Sequence, residues 1–61
     1  MDCEKIGALI RAARRERGMT QRALAEALHI SDRTVSKWER GAGCPDVSLL
    51  TALSDRLGVD L

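Results

Sequence analysis

Thr20-Gln21-Arg22-Ala23-Leu24-Ala25-Glu26-Ala27-Leu28-His29-Ile30-Ser31-Asp32-Arg33-Thr34-Val35-Ser36-Lys37-Trp38-Glu39-Arg40-Gly41 is the stretch that decides the fold. Thr20 suits a helix N-cap, because its hydroxyl can accept a hydrogen bond from an orphan backbone N–H. Leu24, Ala25 and Leu28 follow at helical spacing, which predicts a helix over residues 21–28. Ser31 repeats the capping role. Val35 and Trp38, three apart, mark the inner face of a second helix over residues 32–40, with Gly41 beyond its end. Only His29, Ile30 and Ser31 intervene, and so short a connection forces the two helices to cross steeply. Ala25 is small enough for the close approach, and Leu24, Leu28, Ile30, Val35 and Trp38 close the core around it. The outer face of the second helix is left with Asp32, Arg33, Ser36 and Lys37. That face is polar, long-reaching and near a helix N-terminus, which fits it to the major groove of duplex DNA.

Working outward, Asp2 is a candidate N-cap for a preceding helix over residues 3–17. Its apolar residues Ile6, Leu9, Ile10 and Ala13 form the predicted buried stripe, and Gly18 follows its last turn. Gly7 inside this helix costs up to ~1 kcal/mol relative to alanine, unless it admits a close helix contact. After the loop Gly41-Ala42-Gly43-Cys44-Pro45, Asp46 is a candidate N-cap for a last helix ending at Leu57. Leu49, Leu50, Leu53 and Leu57 share one face of it, and Gly58 lies past its end. Val59, Asp60 and Leu61 read as the start of a fifth helix cut short by the end of the chain.

Composition agrees with an all-α reading. The 61 residues include no Phe, no Tyr and one Trp, while Ala, Leu, Arg and Glu, all strong helix formers, dominate. A chain this short holds a single domain, 1–61, and buries only about 60% of its unfolded surface. Net charge is +1, but its distribution is polar. Residues 1–43 carry nine Lys/Arg against six Asp/Glu, and residues 44–61 carry one against three, the asymmetry of an oriented polyanion binder. The two cysteines, Cys3 and Cys44, make no disulfide framework, and with His29 they fall short of the roughly four ligands of a metal site. Both are expected to be free thiols in a reducing cytosol. There is no signal-peptide pattern and no apolar run of membrane-spanning length. No activated nucleophile, phosphate-binding glycine loop or cofactor fingerprint is present, so neither an enzyme nor a cofactor is expected.

The ordered set from Thr20 to Leu28, then Ile30-Ser31, then Val35 to Gly41, resembles the Cro/repressor-type (xenobiotic-response-element) family of helix-turn-helix regulators of bacteria and phages. The tail Gly43-Cys44-Pro45-Asp46-Val47-Ser48-Leu49-Leu50 is similar to one Gram-positive branch of it. The resemblance implies a compact four- to five-helix, lambda-repressor-like domain whose third helix reads a double-stranded DNA operator. It also implies a symmetric homodimer on a palindromic site, joined through a segment beyond Leu61. Carried over by position, Asp32, Arg33, Ser36 and Lys37 face bases, and Gln21, Arg22, Ser31 and Arg40 contact the DNA backbone. Asp32 either accepts from a cytosine amino group or orients Arg33. Arg14 on helix 1 pairs with Glu39 at the end of the recognition helix. One position departs from the pattern: His29 stands where the family has glycine. That position wants a positive φ, so His29 is predicted to be left-handed and strained by ~1 kcal/mol.

Two other roles remain open on the sequence: a protein-interaction module of the same fold, such as an antitoxin-like partner binder, and a recruiting piece of a longer enzyme. Affinity for duplex DNA with a steep salt dependence separates the first from a DNA reader.

Overall fold

Each helix of this chain starts at a side chain that caps it. The computed structural model describes residues 2–61, with α1 at Cys3–Glu16, α2 at Gln21–Leu28, α3 at Asp32–Glu39 and α4 at Val47–Leu57. Asp2 accepts from the Lys5 N–H at 3.1 Å, Thr20 from Ala23 at 3.0 Å, Ser31 from Thr34 at 3.3 Å and Asp46 from Leu49 at 3.1 Å. Every one satisfies a backbone donor that the helix itself leaves without a partner. At Asp46 the same bond and a second from the Ser48 hydroxyl, at 2.6 Å, hold the carboxyl below the usual carboxylate range, the Ser48 bond contributing more.

The helix ends follow one plan. After α1, α2 and α3, the next residue or the one beyond it turns left-handed: Gly18 at φ 67°, His29 at 59° and Gly41 at 73°. Paired backbone bonds then close each end. For α2 they run from the His29 N–H to the Glu26 carbonyl at 3.2 Å and from Ile30 to Ala25 at 3.0 Å. The same pattern joins Gly18 to Arg15 and Met19 to Arg14, and again Gly41 to Trp38 and Ala42 to Lys37. This is the Schellman arrangement, which satisfies the last carbonyls of a helix. His29 is the only non-glycine with positive φ among the described residues, as expected from its place in the turn.

Ile10, Leu24, Val35 and Leu53, one from each helix, are fully buried at the centre. Ala13, Ala25, Leu28, Trp38 and Leu57 complete the core. Gly7 is buried where α1 crosses α3. A Cβ there would overlap the Trp38 carbonyl and come within 3.3 Å of the Glu39 Cα, so the contact predicted as a reason for this glycine is present. At the other end of α1, the Arg17 Nε donates to the Leu57 carbonyl at 2.9 Å and closes the end of α4.

Two expectations change. Leu9 is half-exposed at 50%: the buried face of α1 runs through Gly7, Ile10, Ala13 and Arg14, and Leu9 falls to its side. Residues 59–61 are not helical, and the Leu61 N–H donates to the Ser54 hydroxyl at 3.3 Å. The cysteines are not free thiols. Cys3 and Cys44, 41 positions apart, are joined by a disulfide across a Cα separation of 5.1 Å. The α1–α3 packing at Gly7 carries the loop after α3 back to the first turn of α1, a proximity that sequence spacing does not reveal.

Candidate nucleic-acid interface

The α3 helix has only two turns, and its composition gives it two unlike faces. Val35 and Trp38 are buried, while Asp32, Arg33, Lys37 and Arg40 are exposed. Ser36 lies at the margin and is half-buried. At its start the Ser31 hydroxyl is already engaged as the cap and lies 3.1 Å from the Thr34 hydroxyl. Asp32 sits in the first turn, where a negative charge suits the helix dipole, and Lys37 in the last, where a positive charge does. The Lys37 stem runs alongside the following loop: a Cβ on Gly43 would lie 3.7 Å from Lys37 Cε.

The end of α3 is anchored through one carboxylate. Glu39 accepts from Arg14 Nε at 2.7 Å and Arg14 Nη2 at 3.0 Å, a two-point fork, and from Gln21 Nε2 at 3.2 Å. Arg14 spends its remaining arm on the Met19 carbonyl at 2.7 Å. The side chains of Arg14 and Glu39 are 11% and 3% exposed. Such a charge-assisted fork in a dry place is strong and directional. The hydrogen bonds that Arg14 donates to Glu39 raise the Arg14 pKa above its ordinary value, with burial opposing. One carboxylate therefore ties α1, α2 and α3 together and fixes how far α3 projects.

Gln21, the first residue of α2, is half-buried. Because one amide N–H is turned to Glu39, a second N–H and the side-chain carbonyl remain available to another partner. Arg22 is exposed and pairs loosely with Glu26, one turn on, at 3.4 Å, a contact worth a few tenths of a kcal/mol in general. The Gln21–Glu39, Arg14–Met19 and Arg17–Leu57 bonds carried no sequence signal, since each joins residues that local periodicity does not relate. Among the described residues no cluster of three metal-ligating side chains forms, and no helix is long and apolar enough to cross a membrane.

Comparison with known proteins places this geometry. The helix-turn-helix family is matched over residues 10–61. The chain is 51% identical over 49 residues to the HTH-type transcriptional regulator DicA of Escherichia coli (strain K12), a match covering 80% of this chain and 36% of that protein. Two crystal structures of the clp gene regulator ClgR from Corynebacterium glutamicum superpose on it with TM-scores of 0.90 and 0.87. Each is 35% identical and covers 98% of this chain, against 64% and 78% of its own. The chain thus spans about a third of the length of one relative, and between about two thirds and four fifths of the solved chains of the other.

Proposed function

The chain belongs to the helix-turn-helix family, and from that premise we propose that it is the DNA-binding domain of a transcriptional regulator, reading double-stranded DNA with α3 in the major groove. The observation that carries this reading is the way α3 is held. Val35 and Trp38 lock its inner face and the Glu39 fork anchors its end, while Asp32, Arg33 and Lys37 stand exposed on the other side. A helix so fixed has little freedom left to lose on docking. Arg33 and Lys37 donate to guanine O6 and N7, so half-sites contain guanine. Asp32 accepts from a cytosine amino group, and Ser36 reaches a base where the helix docks deepest. Gln21, through its second amide N–H, and Arg22, Ser31 and Arg40 contact phosphates. The operator is palindromic and is read by a symmetric pair of domains. The protein works in the cytoplasm, at the nucleoid, and itself does no chemistry.

Selection of sites from a random duplex pool tests this. A guanine-containing site should emerge, bound about a thousandfold or more tighter than scrambled duplex, with affinity falling steeply as salt rises. A flat response with no preferred site would overturn the reading and favour a role in holding a protein partner.

A further inference from the structure

We propose that Cys3 and Cys44 form a thiol–disulfide exchange site through which small thiols set how much of this domain is folded, and so how much DNA it holds; the second half of this rests on the DNA-binding reading above. Cys3 is the first residue of α1 and Cys44 lies in the loop between α3 and α4. The bridge therefore encloses α1, α2 and α3, and with them every residue assigned to DNA. Among the described residues, Gly43, Cys44 and Pro45 make no backbone–backbone hydrogen bond, so the disulfide and the buried Pro45 ring are what tie that loop to the body. The loop in turn touches the reading helix and the first turn of α1: Gly43 lies beside the Lys37 stem, and a Cβ on Gly41 would meet the Glu4 side chain at 2.7 Å.

Access and stoichiometry suit exchange. Both cysteines are partly exposed and neither belongs to the buried core, so the bridge lies at the surface, on the side from which a small thiolate approaches. These 61 residues hold two cysteines, so within this domain the bond has no third thiol to reshuffle with. A glutathione-type thiolate attacks one sulfur, the protein S–S bond breaks, and a mixed disulfide and one protein thiolate result. A second thiolate attacks the glutathione-side sulfur of that mixed disulfide, releasing oxidised glutathione and the second protein thiolate. Each protein thiolate takes the proton its attacker gave up. Two electrons pass from two small thiols to the protein, and oxidised glutathione reverses the sequence. A protein that works on chromosomal DNA meets such a thiol pool, and bridges there are typically transient rather than permanent.

The lever is large because the core is small. Nine core side chains leave a domain of this length near the edge of stability, where closing a long loop weighs heavily.

The test equilibrates the chain in glutathione buffers from fully oxidised to fully reduced. Free thiols are trapped by alkylation and counted by mass, and thermal melting and DNA binding are measured in each buffer. The bridge should open within this range, the melting temperature should fall by about 15 °C or more, and DNA affinity at 37 °C should fall about tenfold as the folded fraction drops. The double variant, with both Cys3→Ser and Cys44→Ser, should match the reduced protein and ignore the buffer; should it fail to fold, the reduced wild-type chain supplies the same comparison. A bridge that stays closed in excess reduced glutathione would overturn the proposal, as would two free thiols with an unchanged melting temperature. Loss of DNA binding in both states with the melting shift intact would instead overturn the DNA reading and support the folding half.

Discussion

His29→Gly should stabilise this domain, although it deletes a whole side chain. His29 sits at φ 59°, ψ 41°, where an L-residue brings its Cβ too close to the following carbonyl oxygen, at a cost of roughly 1–2 kcal/mol. Glycine has no Cβ and loses that penalty. Against this, glycine gives the unfolded chain extra freedom, which costs back roughly 0.5–1 kcal/mol. Nothing else changes sides: the imidazole is exposed and makes no hydrogen bond, and the turn is closed by the main-chain bonds His29 to Glu26 and Ile30 to Ala25, which glycine keeps. The net gain is about 0.75 kcal/mol at the middle of these ranges, which together span about 0–1.5, or a rise of about 3–6 °C in melting temperature for a domain of this size.

Circular-dichroism melting of the oxidised protein measures it, with His29→Ala as the control. Alanine keeps a Cβ in the left-handed turn and so should leave the melting temperature unchanged or lower. A glycine variant that melts at or below the wild-type temperature would refute the strain at this turn. A glycine variant that gains no more than alanine would show that the imidazole, and not the backbone, sets the cost.

Gly7→Ala puts a Cβ onto the Trp38 carbonyl, a backbone atom that cannot swing aside, so urea unfolding should show a loss near the upper end of overpacking, ~3 kcal/mol. Glu39→Ala strands the Arg14 guanidinium, which is mostly buried, and should cost about 3–5 kcal/mol by the same assay; Arg14 and Glu39 replaced together should cost less than Glu39 alone. Arg33→Ala should leave the melting temperature alone and cost ~1–3 kcal/mol on the selected DNA site, relaxing its preference at one base; equal loss on all duplexes would make Arg33 a phosphate contact instead. The Asp46 carboxyl is held below its ordinary range in the folded chain by Ser48 and Leu49, so its contribution is present above the unfolded carboxylate pKa and fades as pH falls through the lower folded one. Asp46→Asn should therefore flatten the acid side of the stability–pH curve, read by melting between pH 2 and about pH 5, where the difference from wild type should shrink as the pH drops.

What the sequence makes legible here is local. The caps at Asp2, Thr20, Ser31 and Asp46 and the turn at His29 each rest on chemistry within four residues, and each stands in the structure where its spacing places it. Leu9 shows the limit of periodicity. An apolar stripe at helical spacing fixes a face only to within a residue's 100° step, and on α1 the face is set by Gly7 and Arg14, one with no side chain and one charged. Arg14 reads as surface on composition alone, and only the resemblance pairs it with Glu39. The disulfide and the Gln21–Glu39 bond lie beyond both kinds of signal, because they depend on where whole helices end up.

These long-range ties share a consequence for the reading face. The α3 helix has eight residues, too few to be stable alone, so its presentation to DNA is borrowed from its surroundings. Three separate devices supply it: the Gly7 contact fixes its distance from α1, the Glu39 fork fixes its far end, and the Cys3–Cys44 bridge holds the loop that leaves it. Asp32 and Arg33 take no part in any of them, and Lys37 only lays its stem beside the loop. On the proposed reading, the side chains that would choose a DNA sequence can therefore change without loss of the scaffold, whereas a change at Gly7, Glu39 or Cys44 should weaken binding to every sequence alike. A base-contact variant and a scaffold variant matched for loss of affinity would then differ in one respect: lowering the temperature rescues the scaffold variant, by refolding it, and leaves the base-contact variant impaired.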